Sequence, residues 1–121
     1  MSADASVKLT ANINLEGSES KQWVPIGSDD TKPFKGKFDG QGYTISGLYI
    51  STDKNFQGLF GYVSSDKEIK NLTVSGKVVG GAGVGIIVGA MNQCTIKNCT
   101  AEGSVSGIGI IDGGIGGIVG A

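Results

Sequence analysis

The chain has 121 residues, with ten lysines, eleven acidic residues, no arginine and no histidine, for a net charge of −1. No basic stripe is present to track phosphates, so nucleic-acid binding is not expected. No apolar run approaches the ~20 residues a membrane-spanning helix needs. The lack of histidine removes any Ser–His or Cys–His nucleophile.

Residues 1–6 read as an N-terminal tail without the charged-then-apolar pattern of a signal peptide. Met1-Ser2-Ala3-Asp4 reads as an expression start on a mature or excised segment. A strand is predicted over Val7 to Leu15, opening one repeat domain over 7–121. Three phrases then recur. They are Thr44-Ile45-Ser46-Gly47-Leu48-Tyr49-Ile50, Glu68-Ile69-Lys70-Asn71-Leu72-Thr73-Val74 and Thr95-Ile96-Lys97-Asn98-Cys99-Thr100-Ala101. Ile45, Ile69 and Ile96 return at nearly equal intervals. A period in this range, roughly 24 to 27 residues, marks a solenoid.

A second block alternates with the phrase: Gly58-Leu59-Phe60-Gly61, Ile86-Ile87-Val88-Gly89 and Gly117-Ile118-Val119-Gly120, with a weaker relative in Gly36-Lys37-Phe38-Asp39. The distance from phrase to block grows along the chain, since Ile45 to Gly61, Ile69 to Gly89 and Ile96 to Gly120 are successively longer. That places the growth in one connection. Glycine supplies 22 of 121 residues, against a usual ~7%. Helix interiors lose roughly 1 kcal/mol for each such glycine relative to alanine. Val, Ile, Thr, Tyr and Phe fill the phrases, as strands favour.

Within the central phrase Ile69, Leu72 and Val74 face one way, and the step of three predicts a bend at Asn71. Positions 47, 71 and 98 are Gly, Asn and Asn, the residues that adopt positive φ most readily. Stacked units then predict ladders of Ile45/Ile69/Ile96, Leu48/Leu72/Cys99 and Phe38/Phe60/Val88/Val119. The expected fold is all-β, a parallel β-helix (solenoid) with coils of about 22–31 residues, a size typical of solenoid repeats.

The same residues carry a family resemblance over most of the chain, from about residue 7. They are Leu9-Thr10-Ala11-Asn12-Ile13-Asn14-Leu15, Trp23-Val24-Pro25-Ile26-Gly27, Phe38-Asp39-Gly40-Gln41-Gly42-Tyr43-Thr44-Ile45-Ser46-Gly47-Leu48 and Gly58-Leu59-Phe60-Gly61. The Ile-Lys-Asn-Cys phrase and its Gly-Gly-Ile-Val-Gly sequel complete the set. The chain resembles the GLUG-motif repeats of bacterial secreted and surface proteins, which include adhesin-like proteins and immunoglobulin-cleaving metallopeptidases. The resemblance implies a right-handed β-helix serving as stalk or display surface. It does not carry the peptidase activity, because the zinc-binding His-Glu-x-x-His motif is absent.

Candidate chemistry reads mainly as structure. Hydrolysis of a sugar needs two carboxylates ~5 to 9 Å apart across one groove. Asp29 and Asp30 sit in a turn-rich stretch, and Asp39 and Asp112 precede glycines where a carboxylate caps turn amides. The acids do not recur at repeat spacing. Calcium at Asp29 and Asp30 lacks the EF-hand and nonapeptide patterns. The clusters Gly80-Gly81-Ala82-Gly83 and Gly113-Gly114-Ile115-Gly116-Gly117 lack the Lys-Ser/Thr of a phosphate loop. Asn71-Leu72-Thr73 and Asn98-Cys99-Thr100 match the glycosylation acceptor pattern but coincide with the bend. Cys99 is expected in the core and Cys94 on an exposed connection. Five residues of strand between them span roughly 16 Å, beyond the ~7 Å a disulfide allows. Thr73 with Thr100, and Lys70 with Lys97, are expected in exposed register.

The expectation is therefore a non-enzymatic, extracellular structural or adhesive module of a bacterial surface protein, with no catalytic, cofactor or metal residues. Two other readings stand beside it. One is a filament subunit that stacks coil end on coil end, since the chain stops inside a repeat block. The other is a carbohydrate-binding or carbohydrate-active β-helix. Expected partners are a host or cell-surface protein, a glycan, or a second copy.

Overall fold

The computed structural model describes residues 6–29, 31–107 and 115–116. The described residues contain strands and no helix: β1 (Ser6–Lys8), β2 (Ile13–Asn14), β3 (Lys37–Asp39), β4 (Thr44–Ser51), β5 (Phe60–Gly80), β6 (Val84–Gly85), β7 (Val88–Gly107) and β8 (Ile115–Gly116). Every pairing between these strands is parallel. Val7, Phe38, Ile69 and Ile96 lie side by side in consecutive coils. The chain is thus a parallel β-solenoid of about four turns, as its repeats predict. Ser6 already belongs to β1, and the strand expected over Val7 to Leu15 is two short strands.

The two longest strands do not run straight. β5 has 21 residues, which fully extended would measure roughly 70 Å. It bends instead at Asn71, whose φ is 54°, and β7 bends at Asn98, whose φ is 51°. The bend explains the pairing. The first arm of β5 lies on β3 through Ile69 and Lys70, and the second arm lies on β4 through Thr73 to Val79. β7 follows β5 along nearly its whole length, from Phe60↔Val88 to Gly80↔Gly107.

The register corrects three expected ladders. Ile69↔Ile96 and Leu72↔Cys99 stack as expected. Ile45, however, stacks between Ile13 and Val74, and Leu48 pairs with Gly76. Phe38 belongs to the column of Val7 and Ile69, so Ile26 takes its expected place beside Phe60 and Val88. Gly47 has a φ of 72° but turns a different corner, beside Glu16 with a φ of 52°. In the column of Asn71 the left-handed residue of the earlier coil is Gln41, with a φ of 51°. Val119, Asp112, Asp30 and Gly113-Gly114 lie outside the described residues.

Coil lengths follow from the true register. In the column Val7, Phe38, Ile69, Ile96 the first two steps are equal and the third is shorter. In the column Ile26, Phe60, Val88 the second step is again the shorter. Over these columns the coils shorten, and the growth expected there fails because the phrase at Ile45 lies on a different face from those at Ile69 and Ile96. In the column Gln57, Val84, Ile115 the later step is the longer one, so the growth is present at the last described coil.

Side chains from successive coils fill one interior. Phe34, Phe60, Leu48, Ile50, Leu59, Ile69, Leu72, Ile86 and Ile87 are fully buried. Phe60 is the hub, with ring centroids 5.0 Å from Phe34 and 5.3 Å from Phe38, the latter edge to face. Such contacts add to the area term of burial. The second glycine of Gly-Leu-Phe-Gly has a steric cause. A Cβ on Gly61 would land on the carbonyl oxygen of Gly27, and one on Gly89 would lie 2.7 Å from that of Gly61. Only glycine lets these coils approach to strand spacing.

Candidate functional site

Bend residues build a polar ridge on the solenoid. Asp39 Oδ1 accepts the Gln41 amide at 2.9 Å and the Asn71 Nδ2 at 3.3 Å. Asn98 Nδ2 then donates to Asn71 Oδ1 at 3.3 Å. The hydrogen bond from the Gln41 amide holds the Asp39 carboxyl below its usual range, with further help from Asn71, Lys70 and Lys8. Beside the ridge runs a column of Lys8, Asp39, Lys70 and Lys97. Glu68 lies 3.5 Å from Lys70 Nζ and 3.8 Å from Lys97 Nζ. Thr44, Thr73 and Thr100 form a parallel threonine column. The expected Thr and Lys registers are both present, and each bend asparagine has a structural partner.

Asp29 behaves as a turn residue. Its Oδ1 accepts the amides of Thr31 at 2.8 Å and Lys32 at 3.1 Å, as well as the Thr31 hydroxyl. That hydroxyl is the main reason its carboxyl is held low. Among the described residues no group of three or more His, Cys, Asp or Glu is placed to hold a metal ion.

Cysteine placement is corrected at one residue. Cys99 packs against the core as expected, but so does Cys94, which is half-buried rather than on an exposed connection. Cys94 lies within β7, beside the shift in its register on β5, and Cys94 and Ile96, two residues apart, both pack against the core. Both thiols are free. Burial pushes both pKa values up, so each remains a protonated thiol at neutral pH.

Sequence reasoning missed a groove between the connections of the first two described coils. It encloses about 570 Å³ and is walled by Gln22, Trp23, Asp29, Lys54, Asn55 and Phe56, among others. Trp23 is fixed by its indole N–H, which donates to the Leu59 carbonyl at 3.0 Å. Gln22 Oε1 accepts the Ser51 amide at 2.9 Å, and Asn55 Oδ1 accepts that of Ala82 at 2.9 Å. Phe56 packs edge to face on Tyr62, with centroids 5.2 Å apart. Its φ is 59°, in the left-handed region, which costs a bulky residue steric energy. The signals in the sequence were a single tryptophan outside any phrase and a phenylalanine where the next coil has Gly83. At the N-terminal end lies a second hollow of about 210 Å³, lined wholly by apolar residues such as Val7, Leu9, Ile13, Leu15, Trp23 and Ile26.

Fold and surface together define a parallel β-solenoid with a polar ridge and an aromatic groove. No family model matches the chain, and no solved structure matches it. It is 38% identical over 120 residues to halomucin of Haloquadratum walsbyi, an alignment covering 93% of this chain and 1% of that protein. It is 35% identical over 100 residues to a protein of Evansella cellulosilytica named as a Gly-rich membrane protein, covering 79% of this chain and 11% of that one. The chain therefore spans only a small fraction of either relative's length.

Proposed function

We propose that this chain is a non-enzymatic structural module of a cell-surface protein, in keeping with its resemblance to GLUG-motif repeats. The observation that supports this best is the long parallel pairing of β5 on β7, from Phe60↔Val88 to Gly80↔Gly107, interrupted only by register shifts between Val63 and Glu68. Side chains that would otherwise be available for chemistry are spent on stacking coil upon coil. Nearest-neighbour stacking yields a rigid rod whose length grows with coil number. The names halomucin and Gly-rich membrane protein, and the far greater length of both relatives, favour a repeated unit at the cell boundary. An antibody against the folded chain should label intact cells of the organism that makes it. Labelling only after permeabilisation would overturn the surface assignment.

A second reading rests on the apolar hollow at the first coil. Val7, Leu9, Ile13 and Leu15 there line a surface of the kind that the interior coils bury. A further β-coil laid parallel on β1 and β2, from a longer chain or a second copy, would cover it. Concentration-dependent growth of rods in light scattering, abolished by Ile13→Lys, is expected if copies stack end to end. A monomer at all concentrations would leave only stacking within one longer chain.

A further inference from the structure

We propose that the Trp23–Phe56 groove is a binding site for a neutral saccharide. The proposal goes beyond the structural role and does not depend on it. Three independent observations converge.

The first is strain. Phe56 holds a φ of 59°, and its amide donates to the Ala82 carbonyl at 2.9 Å. The next coil meets the same corner with Gly83, whose φ is 70°. Glycine suits this conformation without penalty. A phenylalanine kept there spends steric energy to hold a ring that packs on Tyr62 and forms part of the groove wall, and outliers of this kind cluster at ligand sites. The second is where the lining lies. Solenoids place their variable side chains on the connections of one face, and that face is commonly the binding face. Here the connections of the first two coils carry Gln22, Trp23, Asp29, Lys54, Asn55 and Phe56, whereas the third carries Gly80-Gly81-Ala82-Gly83. The groove is therefore local to two coils and not a by-product of the repeat.

The third is the chemistry of the lining. A pyranose offers one apolar face of C–H groups and a rim of hydroxyls. Two aromatic rings supply surface for the face, and amides, hydroxyls and one carboxylate supply partners for the rim. Asp29 and Lys54 carry opposite charges, so the groove has no excess charge to select a phosphate or a polyanion. Its volume of about 570 Å³ lies inside the usual range for small-ligand sites, roughly 300–1,000 Å³. The walls are also set in advance. Trp23 Nε1 is bonded to Leu59, the Asn55 side chain to Ala82 and the Gln22 side chain to Ser51. Pre-set walls lower the ordering cost of binding.

The test uses the intact chain and its one tryptophan, whose indole lines the groove; the Phe56 and Lys54 variants assign any change to the groove. Cellotetraose, maltotetraose, chitotriose and galactobiose are titrated separately. At least one should give a saturable change with a Kd at or below about 10 mM, a loose but specific affinity. Phe56→Gly, which keeps the left-handed backbone, and Lys54→Ala should each weaken that binding, the former by about tenfold or more. Lys97→Ala, on the charged column, should leave it unchanged. Circular dichroism melts of each variant separate loss of the groove from loss of the fold. The proposal is overturned if none of the four sugars saturates the signal. It is equally overturned if folded Phe56→Gly binds as well as the parent, or if only inorganic phosphate or a short peptide binds.

Discussion

Asn71 tests the bend that turns β5 from one face of the solenoid to the next. Its φ is 54°, where an ordinary L-residue pays about 1–2 kcal/mol against the right-handed side of the map. Asn71→Ala and Asn71→Gly both lose the side-chain bonds to Asp39 and Asn98, so those losses cancel in the comparison. What remains is the left-handed penalty of alanine set against the extra chain entropy of glycine, roughly 0.5–1 kcal/mol. Glycine should therefore be the more stable variant by about 0.5–1 kcal/mol. Thr73, two residues on, lies in β5 and pairs in register with Thr44 and Thr100. It provides the control. There Thr73→Ala should be more stable than Thr73→Gly by a similar amount. The swing between the two sites is about 1–2 kcal/mol, or roughly 3–8 °C in Tm for a chain of this size. Urea denaturation followed by far-ultraviolet circular dichroism reads it. If alanine is better than glycine at both positions, the left-handed bend at Asn71 is wrong.

Gly61→Ala should abolish or severely reduce folded yield, because its Cβ would occupy the Gly27 carbonyl oxygen. Soluble expression with a native circular dichroism spectrum would contradict that close approach. Asp29 and Asp39 are both held below the ordinary carboxyl value of 3.8. The unfolded chain therefore takes up protons first as pH falls, so their stabilisation is intact above about pH 4 and lost as pH drops through the folded values. Asp39→Asn should flatten that acid limb in a series of melts, and an unaltered limb would show that the ridge does not contribute. Cys94 and Cys99 should alkylate with iodoacetamide far more slowly at pH 7.5 in buffer than in urea, since burial raises both thiols. Equal rates would place them in solvent.

The solenoid, the bends at Asn71 and Asn98, and the in-register Thr and Lys columns were legible because period, bend chemistry and alternation agreed. The register of the earlier coil was not. Each coil turns more than one corner with a Gly or Asn between apolar residues, so Gly47-Leu48 mimics Asn71-Leu72 while lying on another face. The phrase Thr44-Ile45-Ser46-Gly47 in fact matches Thr73-Val74-Ser75-Gly76 and Thr100-Ala101-Glu102-Gly103, and Ile45↔Val74↔Ala101 is the pairing observed. Cys94 departs from expectation because the stretch before Thr95 is strand and not loop, β7 beginning at Val88. The groove was invisible for a different reason. Trp23 and Phe56 are distant in sequence and belong to no shared phrase, and only the stacking of two non-repeating connections brings them to one cavity.

The most direct test of the central claim is nuclear Overhauser contacts between coils in isotopically labelled protein. Parallel coils about 4.8 Å apart place Ile69 beside Ile96 and Val78 beside Val105, and Ile45 beside Val74. Those three contacts are expected. Contacts of Ile45 with Ile69 in their place, or an antiparallel pattern across β5 and β7, would contradict the stacked register.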